Sequence, residues 1–200
     1  MNIIAIGAHP DDIEIGCGGS LARHVENGDH VKMVVLTSGE KGGASGKVRE
    51  AELKKAALAL GVTDVVCLRF PDTNIPLTPE PSDKLDVIVK EFKPMRAYIP
   101  FWREIHQDHR RTSEVALVAS RNLPQILMYE GPSTAPQFEA DYWVDIADTV
   151  EKKLESLAQY VSQGEKDILK LDAIRSLNHF RGYQARTTYA EAFDIFRFVE

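Results

Sequence analysis

Short apolar runs alternate with helical periodicities through the first 125 residues. Ile3 to Ala8, Val31 to Thr37, Val65 to Phe70 and Ala97 to Pro100 have strand length and are rich in β-branched or aromatic side chains, which suit a pleated surface. Their near-continuous apolar character predicts strands covered on both faces. Between them, Leu21 to Asn27 stops at Gly28, and Val48 to Leu60 carries Leu53, Ala56, Ala57 and Leu60 at helical spacing before Gly61. A third helix is predicted from Ser82 as N-cap, with Leu85, Ile88, Val89 and Phe92 as its apolar stripe before Pro94. Strand, helix, strand, repeated, predicts a parallel sheet with right-handed crossovers. Farther on, Ile126 to Tyr129 and Tyr142 to Ile146 read as two more strands, parted by the stretch Gly131 to Pro136. Val150, Leu154, Leu157, Ala158 and Val161 then keep a helical period, a second helix is predicted over Lys166 to Phe180, and the terminal run Tyr189 to Val199 carries Phe193, Phe196 and Phe198. No linker or internal repeat interrupts the pattern. The expected architecture is one α/β domain over residues 1–200, a mostly parallel, Rossmann-like doubly wound sheet with helices on both faces.

Composition narrows the class without naming a function. Of the 200 residues, 44% are apolar and 27% charged, which excludes a disordered chain, a collagen-like repeat and a coiled-coil rod. The 24 Lys+Arg against 30 Asp+Glu give a net charge of −6. An acidic chain without a basic stripe is a poor partner for nucleic acid or for an anionic membrane. Two cysteines, Cys17 and Cys67, make no disulfide framework and fit a reducing cytoplasm. No apolar run has the length of a membrane span, and the N-terminus lacks the basic flank of a signal peptide.

Position carries the chemistry. His9 lies just past the first strand in Ala8-His9-Pro10-Asp11-Asp12, and His106 and His109 lie just past the fourth in Glu104-Ile105-His106-Gln107-Asp108-His109. In a doubly wound sheet the strand order often reverses beside the first strand, which places strands one and four side by side and their carboxyl ends at the ligand-binding crevice. The two clusters are therefore expected to meet, with Glu40 and Asp72 on the same rim. Two imidazoles and a carboxylate are a common set for a catalytic metal with one open position. His9 and Asp12 can face one ion, completed by one histidine of the second cluster. Asp11 is then left to take a proton from a water that such an ion brings to a pKa of about 7. The remaining histidine is left to steady oxyanion charge or protonate a leaving amine, and Asp108 to orient one of the imidazoles.

Each feature has a plainer alternative. Asp11, Asp12 and Asp108 are all suited to capping helices, although two such clusters at neighbouring strand ends point to a site. Gly16, Gly18 and Gly19 after a strand resemble a dinucleotide-binding turn with Glu40 as its ribose acid, but Asp11, Asp12 and Glu14 would repel a pyrophosphate. His106-Gln107-Asp108 has the spacing of a two-histidine, one-carboxylate iron site, which leaves the Asp11-Asp12 pair without use. His24, His30 and His179 read as surface or packing residues and Cys17 as a small buried one.

Taken together, Ala8-His9-Pro10-Asp11-Asp12 with Gly16-Cys17-Gly18-Gly19, then His106-Gln107-Asp108-His109, resemble the PIG-L/LmbE family of zinc-dependent N-deacetylases. Arg49-x-x-Glu52 with Leu60-Gly61, Pro71-Asp72 and Tyr189-Ala190-Glu191-Ala192-Phe193 extend the resemblance along the chain. It implies that His9, Asp12 and His109 hold Zn2+, with another divalent ion such as Fe2+ as the alternative. It also implies Asp11 as general base, His106 as electrostatic stabiliser or general acid oriented by Asp108, and Arg49 and Asp72 as substrate contacts. Arg49 has a plainer reading as a helix N-terminal residue paired with Glu52. The implied activity is hydrolysis of a small N-acetylated substrate, an N-acetylglucosamine conjugate, to acetate and a free amine. Alternatives are a deacylase of a non-sugar N-acyl metabolite and a non-catalytic nucleotide- or sugar-binding protein. The implied partners are a small-molecule substrate and further copies of the chain in a homo-oligomer. Two departures stand out: Thr73-Asn74 where relatives often have glycine, and Trp102-Arg103 in the loop before His106, placed to shape a pocket of their own.

Overall fold

A computed structural model describes residues 1–163 and 170–200 of the protein. Its strands are β1 (Asn2–Gly7), β2 (His30–Thr37), β3 (Asp64–Phe70), β4 (Arg96–Pro100), β5 (Gln125–Tyr129), β6 (Tyr142–Asp145) and β7 (Ala190–Phe198). They form one sheet in the order β3-β2-β1-β4-β5-β7-β6. The first five are parallel, while β7 runs antiparallel to both β5 and β6. The order reverses between β1 and β4, where Ile3 pairs with Arg96 and Ala5 with Tyr98. This is the neighbour relation that brings the two histidine clusters to one edge.

The helices are α1 (Asp12–Glu26), α2 (Gly46–Ala59), α3 (Glu80–Phe92), α4 (Gln107–Ala119), α5 (Val150–Leu157) and α6 (Leu171–Ala185). On one face of the sheet, Ala5, Met33, Tyr98, Leu127 and Phe193 pack with Leu21, Leu53, Leu154 and Ile174 from α1, α2, α5 and α6. On the other, Ile4, Ile6, Ile99 and Met128 pack with Leu85 of α3 and Val115 of α4. Strands buried on both faces account for the unbroken apolar runs.

The structure moves several expected boundaries. α1 starts at Asp12 rather than Leu21, so the glycines from Gly16 to Gly19 lie inside a helix instead of in a turn. Packing dictates this: a Cβ on Gly16 would fall 2.1 Å from the Tyr129 ring, and one on Gly19 would fall 2.8 Å from Ile146. No glycine turn follows β1, which removes the basis for a dinucleotide reading. The helix bends at Cys17, whose φ of −144° is not helical. A buried ion pair splints the bend. Lys153 donates to Ile15 O (2.7 Å) and to Glu191 Oε1 (2.6 Å), while Glu191 accepts from the amides of Gly19 (2.9 Å) and Ser20 (2.7 Å) and from Ser20 Oγ (2.5 Å). The carbonyl freed before the bend and the amides freed after it are thus satisfied.

α3 begins at Glu80 with Pro81 in its first turn, so Ser82 is internal and not the cap. α5 ends at Leu157, and Val161 opens a short 3-10 turn, Val161–Gln163. The sixth helix is described from Leu171, and the expected start over 166–169 lies outside the described residues. Of the terminal aromatics, Phe193 is core but Phe196 is half exposed. No helix among the described residues is long and apolar enough to cross a membrane.

Candidate metal centre

The loop from β1 to α1 folds back on its own amides. Asp12 Oδ2 accepts from the backbone of Ala8 (3.0 Å) and His9 (2.8 Å), which turns its carboxylate toward the His9 ring. Asp11 sits at the N-cap position with φ 108° and makes no side-chain cap bond. A non-glycine residue held in that region is uncommon, and such strain concentrates at functional sites. After β4, His106 is the N-cap of α4, its Nδ1 accepting from the amide of Asp108 (3.2 Å). The plainer capping reading therefore fails for all three aspartates.

Three side chains converge at the switch point. His9 Nδ1 lies 3.4 Å from Asp12 Oδ2, His109 Nε2 lies 3.2 Å from Asp12 Oδ1, and the two ring nitrogens are 3.3 Å apart. Donors held about 2.0–2.1 Å from a tetrahedral ion stand about 3.3–3.4 Å from one another. The trio therefore fits a single small divalent metal, and it forms one of the two clusters suited to an ion among the described residues. The other combines His9 with His106 and Asp108. That set is the weaker one, because Asp108 Oδ2 lies against His9 Nε2 and lines no part of the cleft. The rival HxD iron site is disfavoured for the same reason.

Carboxylates back both imidazoles of the trio, the usual arrangement behind metal-binding histidines. His9 Nε2 faces Asp72 Oδ1 (3.1 Å) and Asp108 Oδ2 (3.2 Å). His109 Nδ1 faces Ser133 Oγ (3.1 Å) and Glu104 Oε2 (3.4 Å). Burial opposes protonation of His9, but the bonds to Asp108, Asp12 and Asp72 hold its pKa well above the ordinary histidine range. His109 is likewise desolvated yet pushed up to about 10 by Asp12 and Glu104. Burial alone would raise Asp12, and the two imidazoles instead hold it well below the carboxylate range. Together these shifts describe a pocket that draws positive charge. Asp11 differs: burial and the Asp12 charge raise it to about 6, against the pull of Arg49. Burial, His109 and His9 lower His106.

Several expected roles shift. The Asp108 carboxylate is turned to His9, and it is the Asp108 backbone amide that holds His106. Asp72 is on the rim, but its oxygens are taken by His9 and by the Lys41 amide (2.8 Å). Arg49 does not pair with Glu52, which instead accepts from the amide and hydroxyl of Ser162. Arg49 is buried over the Tyr160 ring and donates through one terminal nitrogen to Pro10 O (2.5 Å) and Asp11 Oδ2 (3.0 Å). Its Nε and other terminal nitrogen have no hydrogen-bond partner among the described residues. Gly39, at φ 65°, lies against that guanidinium, and a Cβ there would fall 3.1 Å from Nε. Thr73 adopts φ 65°, a region glycine enters freely, at the position where the resemblance expected glycine. His24, read as a surface or packing residue, pairs with Asp29 at 2.6 Å and lies 3.0 Å from the Tyr98 hydroxyl. Trp102 is half exposed under Arg103 and does not line the cleft.

An open cleft of about 230 Å³ runs over the trio, lined by His9, Asp11, Asp12, Arg49, His106 and His109 together with Lys41, Ser133 and Gln163. The last three belong to no spacing that sequence reading could single out. Gln163 arrives from the 3-10 turn after α5, pinned there by Glu52 through Ser162.

The fold and this donor set define a class: a doubly wound α/β protein with a candidate mononuclear metal centre at its switch point. Within that class the chain belongs to the PIG-L family, whose model, described as PIG-L: GlcNAc-PI de-N-acetylase, matches residues 4–120. It is 41% identical over 138 residues to the uncharacterized deacetylase YaiS of Escherichia coli K12, covering 66% of this chain and 75% of that one. It is 28% identical over 215 aligned positions to the diacetylchitobiose deacetylase of Thermococcus kodakarensis, covering 94% and 80%. Among solved structures, the N,N'-diacetylchitobiose deacetylase of Pyrococcus horikoshii superposes with a TM-score of 0.86 at 27% identity, covering 98% of this chain and 83% of that one.

Proposed function

We propose that residues 1–200 act as one cytoplasmic, zinc-dependent N-deacetylase domain. The substrate we assign is a small N-acetylglucosamine conjugate, cleaved to acetate and a free amine. One observation carries the reading: Asp11 faces the cleft beside the three donor residues but is not one of them, and its backbone is held at φ 108°. A purely metal- or sugar-binding protein has no use for a spare base held in strained backbone. The diacetylchitobiose deacetylases that the chain resembles support the choice of an N-acetyl sugar.

His9, Asp12 and His109 would hold the metal, which when bound supplies a polarised carbonyl and a more acidic water. Asp11 takes the proton of the attacking water, a role best served by a pKa near the working pH. Because His106 Nδ1 accepts the Asp108 amide, its proton sits on Nε2, placed to hydrogen-bond developing oxyanion charge, while the proton taken up by Asp11 is the one passed to the departing amine. Asp108 and Asp72 position His9. Arg49, buried beside Asp11, steadies its carboxylate.

A metal analysis of purified protein combined with an acetate-release screen over N-acetyl sugars tests the reading. The expected result is one divalent ion per chain and acetate release that a chelator abolishes. His109→Ala should lose both ion and turnover. Absence of bound metal from the parent protein overturns the mechanism. Acetate release only from non-sugar amides overturns the substrate class.

A further inference from the structure

We propose that Glu104 and Ser133 form a relay that fixes the tautomer and direction of His109 and so sets how tightly the metal is held; this rests on reading His9, Asp12 and His109 as the ligands. Glu104 is buried in the loop after β4, and Ser133 lies in the loop after β5. The two loops are zipped together: the Ile105 amide donates to Ser133 O (2.9 Å) and the Ala135 amide to Arg103 O (2.9 Å). Glu104 Oε2 accepts the Ser133 hydroxyl at 2.5 Å, and Oε1 accepts the Thr134 hydroxyl. Ser133 Oγ in turn lies 3.1 Å from His109 Nδ1.

The order of donation follows from counting hydrogens. A serine hydroxyl has one proton, and a buried carboxylate is the stronger acceptor for it. With that proton on Glu104, the serine oxygen is left only to accept, so His109 Nδ1 must carry its hydrogen. The lone pair of His109 is then on Nε2, the atom that faces His9 and Asp12. The opposite ligand is built the other way round: His9 turns Nδ1 inward and is held from outside by two carboxylates directly. His109 has one carboxylate, acting chiefly through a hydroxyl. Among the described residues, His109 is the one ion-pair partner of Glu104. A carboxylate buried at that cost without a lysine or arginine is explained if its task is to orient the imidazole.

Zinc affinity, measured by competition with a chromophoric chelator, tests the relay in Ser133→Ala, Glu104→Gln and the double variant, with thermal unfolding recorded alongside. Each single variant should lose about 10–100-fold in affinity. The double variant should be no weaker than the worse single one, and Ser133→Thr, which keeps the hydroxyl, should bind within a few-fold of the parent. Ser133→Ala leaves the Glu104–Thr134 bond in place, so it decides the matter if Glu104→Gln does not fold. Parental affinity in Ser133→Ala overturns the relay, as does a lowered unfolding temperature with unchanged affinity. Parental affinity in His109→Ala overturns the ligand reading instead, which separates the two failures.

Discussion

Helix α1 joins two buried charged clusters of opposite construction. At its bend, Glu191 accepts four hydrogen bonds on two oxygens, and Lys153 spans the carbonyl and the carboxylate on either side. That cluster is closed: its charges cancel and its donors meet acceptors. At the first turn of the same helix, Asp12 stands with Asp72, Asp108 and Glu104 around two imidazoles, Asp11 is strained, and two nitrogens of Arg49 have no hydrogen-bond partner among the described residues. That cluster is open, and it is the one facing the cleft. Residues of the same kind thus serve stability where they are satisfied and chemistry where a place is left for a ligand.

Substitutions on either side sharpen this contrast. The largest effect is expected at the open cluster: Asp11→Ala should lower kcat by about 10²–10⁴-fold while metal content, read by emission spectroscopy, stays at the parent level. Full activity in that variant would remove the general base. At the closed cluster, Glu191→Ala should cost about 3–5 kcal/mol in urea unfolding by stranding Lys153. Replacing both partners, Lys153→Met with Glu191→Leu, should recover little of that loss, because the Ile15 carbonyl and the Gly19 and Ser20 amides stay buried without partners. If the folded double variant also lost metal, the two clusters would be coupled through the bend and not independent. Gly16→Ala should destabilise the fold by more than the about 1–3 kcal/mol of ordinary overpacking, because the added methyl would lie 2.1 Å from the buried Tyr129 ring; a thermal melt checks it. Arg49→Gln should reduce kcat/KM by about 10–100-fold, since a hydrogen bond to a charged group contributes about 1.5–3 kcal/mol, with metal content unchanged.

The strands and their switch point were legible in the chain because a sheet covered on both faces leaves unbroken apolar runs, and parallel connection dictates which ends adjoin. The His/Asp clusters were legible for the same reason: they fall directly after two of those runs. What escaped depends on contacts between distant segments. The start of α1 was hidden because glycine weakens a helix by propensity, while the reason for glycine here is the Tyr129 ring more than a hundred positions away. The partner of the Asp108 carboxylate could not be read from HxD spacing, because the choice between His106 and His9 is made by how the two strand ends face each other. Ser133 and Gln163 carry no motif, and only the folded chain brings them to the cleft.

The ligand set is the claim on which the rest stands, and anomalous diffraction at the zinc edge from crystals of the metal-loaded protein tests it most directly. A single peak bonded to His9 Nδ1, an Asp12 oxygen and His109 Nε2, with Asp11 and His106 outside bonding distance, is the expected map. A peak held by His106 and Asp108, or no peak at the ends of β1 and β4, would contradict the account.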